Sequence, residues 1–437
     1  MSSNTFIKNV SSSGFASFAA LGLGFASGAI AANLLGPSGR GDLASLFLIY
    51  SLVALIGVSG IDQAVALLVG ESRQNSRRIQ SAGLLAAGVL ALLITPVSYI
   101  AIGWGLGGGK AHLVDDARII LLGLGAYFFC QVFNAIDQGA GFFGRRALYM
   151  VLPPAIYTAG CVYLAFQAVV TVRQFILWYL FGYSVALVLR IVTASASGFH
   201  GRSYSTSSIF EVFRRGARLH LPQLAWLLSS KVDMIVVIAV LSSFDVGLYA
   251  VAVAVAQIPK LVVDAYLAVC VTTISTQRNE ELRQKCALDC FRMAQLLCAS
   301  IGLLMVAGVP FLILVVFGAE FSPAILPAGA LSFASLVMCL VASVDRSLRV
   351  LHCVRPGFIA YGTAALLMVC LGTPMAVRYG LMGVSVASAL GSAISLVVIT
   401  YLFAARIEVP WLNLLCVKPY RYARNNTLFS NAASVKL

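Results

Sequence analysis

Three basic side chains interrupt long apolar segments of this sequence, and their charge suits the binding of an anion. They are Lys231, Lys260 and Arg190. A charge at the centre of a bilayer costs about 2.5–3.5 kcal/mol on insertion scales, so a charge that stays there usually faces water or a partner. At about 1.5 Å per residue, both lysines lie roughly 21 Å along their segments, near the middle. We therefore interpret the three residues as an anion-binding set in a hydrated cleft.

Two of these cations also have a plainer interpretation. Lys260 can pair with Asp264, which lies four residues further along the same helix face. Arg190 can extend its guanidinium to the nearer membrane surface.

Four further charged residues are candidates for ion coupling or for gating. On a helix, Asp233 points about 200° away from Lys231, so it either contacts a neighbouring helix or changes its protonation state. Asp264 is a second candidate for proton or sodium coupling. Asp345 and Arg346 lie near the end of an apolar segment, where they can form part of a gate.

The segments that carry these residues are apolar enough to cross a membrane. The 437 residues are 60% hydrophobic and 11% charged, whereas about a quarter of the residues of a soluble domain are charged. A membrane-spanning α-helix needs about 20 apolar residues. The apolar runs predict an all-α polytopic protein with twelve transmembrane helices, at 12–35, 43–69, 81–103, 117–139, 149–170, 174–198, 217–241, 246–270, 291–317, 325–350, 357–377 and 381–404.

Basic residues accumulate on one side of the predicted helices. Most of the 30 Lys and Arg residues lie in loops on the side of the N-terminus. The opposite loops carry Arg40, Lys110, Arg118, Arg173 and Arg378. By the positive-inside rule, both termini are therefore expected to be cytoplasmic.

The same pattern excludes several classes of protein. The net charge of +14 does not indicate a nucleic-acid partner, because the cations are spread over short loops. A nucleotide-driven pump needs a Walker A segment, and none occurs. The ten cysteines lack the spacing of zinc ligands. We expect no bound metal and no cofactor, with proton or sodium coupling left open.

A weak repeat relates the two halves of the chain. The matches, at a constant offset of 206 residues, are Leu35 with Leu241, Gly41 with Gly247 and Ala44 with Ala250. Six helices followed by six in the same orientation form a parallel repeat, which in transporters encloses the substrate site. We predict an N-terminal six-helix lobe at 1–206, a C-terminal six-helix lobe at 207–404 and a basic cytoplasmic tail at 405–437 that lies on anionic headgroups. In the first span, Gly22, Gly24 and Gly28 are expected to allow close helix packing.

Three segments resemble the polysaccharide flippases of the multidrug/oligosaccharidyl-lipid/polysaccharide exporter (MOP) superfamily. The first is Leu34-Leu-Gly-Pro-Ser-Gly-Arg-Gly-Asp-Leu-Ala44. The second is Lys231-Val-Asp233 followed by Val246-Gly-Leu-Tyr-Ala250, which is similar to the opening of the family's second lobe. The third, Phe317-Gly-Ala-Glu-Phe321, is similar to the turn between the ninth and tenth spans.

The resemblance implies a V-shaped, MATE-like carrier in a bacterial or archaeal inner membrane. It would move lipid-linked oligosaccharides to the outer leaflet by alternating access, with polysaccharide polymerase and export components as partners. Lys231, Lys260 and Arg190 would then bind the pyrophosphate of the lipid carrier, because fixed cations replace the counter-ions that it loses.

Three other functions stay open at this point. The drug and cation antiporters of the superfamily share the twelve-span plan. A membrane-embedded glycan polymerase or ligase handles the same carriers, but it relies on a large outer loop that carries Arg or His. The longest outer loop here, 104–116, has only Lys110 and His112, so we expect no enzyme. A scaffold subunit would make the charges inside the membrane dispensable.

Overall fold

The regular structure of this chain is helical throughout its described residues. The computed structural model describes residues 3–71, 76–105, 108–196, 206–277, 279–407, 409 and 414. Its α-helices are α1 Ser3–Val58, α2 Ile61–Glu71, α3 Ser76–Gly105, α4 Val114–Leu121, α5 Leu124–Ala140, α6 Phe143–Leu164, α7 Val172–Ala196, α8 Thr206–Val240, α9 Ser243–Ala256, α10 Ile258–Ser275, α11 Glu280–Leu312, α12 Ile325–Val350, α13 Arg355–Leu367 and α14 Thr373–Ile407. No strand occurs in these ranges, so the predicted all-α class is confirmed. Nearly all of the predicted tail lies outside them.

The predicted spans fall on these helices. Eight helical segments of the described chain are long and apolar enough to cross a membrane, and a bent pair, Lys110–Leu121 with Leu124–Ala140, adds a ninth. Two of the eight, Ala16–Val58 and Arg355–Ile407, each cover two predicted spans. The polytopic architecture is confirmed, whereas the number of twelve stays a prediction.

Helices α1 and α14 each consist of two helical parts that meet at a glycine kink, which is why each covers two predicted spans. At Gly36 in α1, φ is 64° and ψ is −178°, and at Gly380 in α14, φ is 58° and ψ is −140°. These are conformations that only glycine adopts readily. Pro37 follows the first kink and lacks the backbone N–H that a regular helix would use there.

The two largest buried apolar cores of the described residues lie largely in different parts of the chain. All residues of the first core come from between Ala31 and Val212. The second is built mainly from residues 232–387, and α1 adds Ala29, Ala32 and Ala44 to it. Helix α1 therefore packs into both cores.

Candidate functional site

Lys231 and Lys260 form no ion pair with any residue that the structure describes. Lys231 is half-buried on α8 and Lys260 is exposed on α10. Both ammonium groups are therefore available to an anionic ligand.

Arg190 has a different environment, inside the first core. It is 4% exposed and donates hydrogen bonds to the carbonyl of Phe133, at 2.9 Å, and to the carboxylate of Asp137. Its guanidinium also lies 4.4 Å from the centre of the Tyr149 ring. Asp137 is fully buried and accepts a second hydrogen bond, at 2.8 Å, from Nε of Arg145. Arg190 thus connects α7 to α5 and α6 rather than extending to the membrane surface, and its contacts do not include the two lysines.

Asp233 contacts a neighbouring helix, which is one of the two alternatives left open by the sequence. Its carboxylate accepts a hydrogen bond of 2.9 Å from the hydroxyl of Tyr249. Tyr249 lies on α9 and is completely buried. This hydrogen bond ties the second half of α8 to α9.

The remaining acidic candidates pair with arginines of α12. Asp264 forms an ion pair with Arg346 and so joins α10 to α12. The plainer interpretation of the sequence had Lys260 as the partner of Asp264. Asp345 is 3% exposed and pairs with Arg349 at 3.0 Å. Asp345 and Arg346 are adjacent in sequence but pair with different residues.

The two glycines of the sequence repeat meet each other. A Cβ atom on Gly41 would lie 1.8 Å from the carbonyl oxygen of Ser243, and one on Gly247 would lie 1.8 Å from that of Pro37. Only glycine permits this approach of two backbones. We call it the α1–α9 contact. It lies at the end of the bundle that we predict to be extracytoplasmic.

Side chains add further hydrogen bonds at the same end. Nδ2 of Asn33 donates to the carbonyl of Val316 at 2.8 Å. The ammonium of Lys110 donates to the carbonyl of Ile238. Both bonds connect the N-terminal half of the sequence to the C-terminal half, so this end is closed.

The halves also touch at the opposite end, between α2 and α8. The Cβ atom of an alanine at Gly60 would lie 2.4 Å from the carbonyl oxygen of Gly216. Nη1 of Arg215 pairs with Glu71 at 2.7 Å. We call this the α2–α8 contact.

A cavity of about 370 Å³ lies between α1, α6 and α7, and an arginine lines it. Ligand sites for small molecules typically have about 300–1,000 Å³. The aromatic walls are Phe47, Tyr157, Tyr179 and Tyr183. Nε of Arg40 is buried without a hydrogen-bond partner among the described residues. The cavity therefore combines aromatic rings with a cation that the described protein does not neutralise.

Glycines of α1 leave space on the remaining wall of this cavity. Gly24 has nothing within 4 Å of the position of a Cβ atom, and at Gly28 the nearest atom is Nη2 of Arg40, at 3.5 Å. The expected role of these glycines in close helix packing is therefore wrong, because both line the cavity. Gly22 has nothing within 4 Å either.

Sequence reasoning placed Arg40 in an outer loop and missed this cavity. Arg40 lies four residues after the kink at Gly36, on the second helical part of α1 and not in a loop. Arg40 and Phe47 are seven residues apart, which puts both on one helix face. That spacing is the one signal in the sequence that links them.

The comparison with protein families identifies the chain. A family described as polysaccharide biosynthesis protein matches residues 6–276. The chain belongs to this family. No match was found among curated proteins.

Solved structures with a similar fold include a flippase and transporters of the MOP superfamily. The lipid II flippase MurJ, in an inward closed conformation, has a TM-score of 0.74 and 16% identity over 92% of this chain and 89% of that one. An inward-facing multidrug resistance MATE family transporter has a TM-score of 0.75 and 17% identity, covering 88% and 94%. An outward-facing structure of a multidrug resistance MATE family transporter has a TM-score of 0.64 and 17% identity, over 92% of this chain and 95% of that one. The resemblance to the MOP superfamily is confirmed.

Proposed function

We propose that this protein moves lipid-linked oligosaccharide repeat units across the cytoplasmic membrane by alternating access. The match of residues 6–276 to the polysaccharide biosynthesis family supports this most directly. The fold agrees, because a flippase of a lipid-linked precursor is among the similar structures. Both termini would be cytoplasmic, and polymerase or export components would receive the product.

The pyrophosphate of the substrate needs compensating positive charges from the protein, because it leaves the polar headgroup layer during transport. Lys231 and Lys260 are the cations proposed to accompany it, because neither has an ionic partner among the described residues. Arg190 would act indirectly, by holding α5, α6 and α7 together.

Alternating access requires contacts that can open at either end. The α1–α9 contact and the α2–α8 contact close opposite ends of the bundle. In the proposed cycle, breaking one while keeping the other exposes the substrate site to one side. The lobes that move would be residues 1–206 and 207–404.

A MATE-type drug or cation antiporter is the second candidate, favoured by the similar MATE structures. A cationic substrate would be repelled by Arg40 in the cavity of the first half, which favours the flippase. An enzyme or a scaffold subunit has no comparable support.

The test uses the full chain in liposomes that contain a fluorescent polyprenyl-pyrophosphate oligosaccharide. Movement of the lipid between leaflets is followed by quenching with a membrane-impermeant reductant, and uptake of ethidium is measured in parallel. We expect lipid movement without ethidium uptake. Ethidium uptake without lipid movement would refute the flippase function and support the antiporter function.

A further inference from the structure

The cavity between α1, α6 and α7 has the composition of a binding site for a charged saccharide group. It lies wholly on helices of the first predicted half. The lysines of α8 and α10 are not among its lining residues. Its volume of about 370 Å³ is in the range of small-ligand sites. The cavity is partly open to its surroundings, so a ligand could enter it without displacing a helix.

Arg40 gives the cavity its charge preference. A buried polar group usually has a hydrogen-bond partner, yet Nε of Arg40 has none among the described residues. None of the ion pairs of the described chain involves Arg40. A guanidinium offers five donors in a planar fork that matches a carboxylate or a phosphate. An anion would therefore complete the hydrogen bonding of this arginine and neutralise its charge.

The aromatic walls indicate that the anion is carried by a sugar. Tyr157, Tyr179 and Phe47 form a compact cluster, with ring centres 5.7 Å apart between the two tyrosines and 4.9 Å between Phe47 and Tyr179. Tyr183 extends the cluster, 5.1 Å from Tyr179. Aromatic faces pack against the C–H surfaces of a sugar ring, and tyrosine hydroxyls both donate and accept hydrogen bonds, as sugar hydroxyls require.

We infer that the cavity lined by Arg40, Tyr157, Tyr179 and Tyr183 binds an anionic saccharide group, with Arg40 on the charge and the rings on the sugar. This rests on the proposed function and deepens it, because the site would select which repeat unit is carried. The charge has two sources, a carboxylate on the sugar or the phosphate that links the first sugar to the lipid. Either source gives the same contact with Arg40.

The test measures binding of small probes to the full chain in lipid nanodiscs by saturation-transfer NMR. The probes are glucuronate for the carboxylate, glucose 1-phosphate for the phosphate and glucose as the neutral reference. We expect one or both anions to bind at least about tenfold more tightly than glucose, and Arg40→Gln to remove that advantage. The anion that binds identifies the source of the charge. Equal binding of glucose, or anion binding that survives Arg40→Gln, would overturn the inference.

A second variant separates loss of the site from loss of the fold. Gly24→Leu fills the cavity and keeps Arg40, whereas Gly22→Leu, two residues away on another helix face, serves as its control. We expect Gly24→Leu to abolish anion binding and Gly22→Leu to leave it unchanged. Anion binding by Gly24→Leu at the wild-type level would place the site elsewhere and refute the inference.

Transport data distinguish this inference from the proposed function. If wild-type protein moves the lipid-linked substrate but binds neither anion, the inference fails and the flippase stands. If wild-type protein binds an anion through Arg40 but moves no lipid, the flippase fails and the binding site stands.

Discussion

Gly41 and Gly247, related by the repeat offset of 206 residues, touch each other across the α1–α9 contact: the position of a Cβ atom on Gly247 lies 3.0 Å from the backbone nitrogen of Gly41. The two predicted copies of the motif thus meet face to face. Since a parallel repeat places equivalent residues around an axis along the membrane normal, this axis would pass between the two glycines.

Gly247→Ala should disrupt the α1–α9 contact. The added methyl group would lie 1.8 Å from the carbonyl oxygen of Pro37, and overpacking of this kind costs about 1–3 kcal/mol. We expect a lower midpoint of thermal unfolding in detergent. Gly329→Ala is the control, because a Cβ atom there meets nothing within 4 Å. Equal midpoints for both variants would contradict the close approach.

Gly357→Ala should destabilise the chain through Asp345. Its Cβ atom would lie 1.8 Å from Oδ1 of that carboxylate, which is 3% exposed and pairs with Arg349, so the added methyl group has to displace a buried ion pair. We expect a loss of about 1–3 kcal/mol in the free energy of unfolding. Combining the variant with Asp345→Ala should restore part of the loss. If the loss of unfolding free energy in the double variant equals the sum of the losses in the two single variants, the two residues are not in contact.

Asp137→Asn should be among the most damaging single changes in the first half. It leaves Arg190 buried opposite a neutral amide, and removing one partner of a buried ion pair typically costs about 3–5 kcal/mol. Asp115→Asn is the matched control, because Asp115 is 77% exposed and pairs with Arg118 at 3.4 Å. There we expect less than about 1 kcal/mol. Unfolding in mixed micelles with rising SDS measures both, and a small loss for Asp137→Asn would show that Arg190 does not depend on this pair.

Lys231→Gln and Lys260→Gln should each slow lipid movement in liposomes by about tenfold or more, because a hydrogen bond to a charged group contributes about 1.5–3 kcal/mol. Arg378→Gln removes an exposed arginine that lies 5.5 Å from the ring centre of Tyr379, and it should leave the rate unchanged. Full transport by both lysine variants at normal membrane levels would refute their role with the pyrophosphate.

Asp233→Asn tests ion coupling separately from structure. The amide oxygen can still accept the hydrogen bond of Tyr249, so the helix contact is kept while the titratable group is lost. We expect transport that no longer responds to an imposed proton or sodium gradient. Tyr249→Phe removes the hydrogen bond and keeps the carboxylate, so its gradient response should persist. A normal gradient response of Asp233→Asn would remove this residue from the coupling candidates.

The sequence predicted the helical class well, because runs of about 20 apolar residues have few alternatives to a spanning helix. It could not predict the partners of the charged residues. Asp264 had Lys260 one turn away and pairs instead with Arg346, 82 residues on. Local spacing shows which side chains share a helix face, whereas pairing between helices depends on their packing.

Arg40 is a second residue whose contacts could not be predicted from the sequence. Gly-Pro-Ser-Gly before it is typical of a loop, whereas the chain makes a sharp kink at Gly36 and continues as a helix that contains Arg40. The tyrosines that surround Arg40 come from α6 and α7, more than a hundred residues away, so no local pattern connects them to it.

The position of α1 in both cores has a consequence for how the protein is made. Ala29, Ala32 and Ala44 leave the ribosome first, but the residues of α9 that cover them, such as Leu248, follow about 200 positions later. At about 5–20 residues per second, synthesis of that stretch takes roughly 10–40 s. During this interval one side of α1 is open to lipid or to the insertion machinery. Helix α1 therefore completes its packing only after α9 has been synthesised.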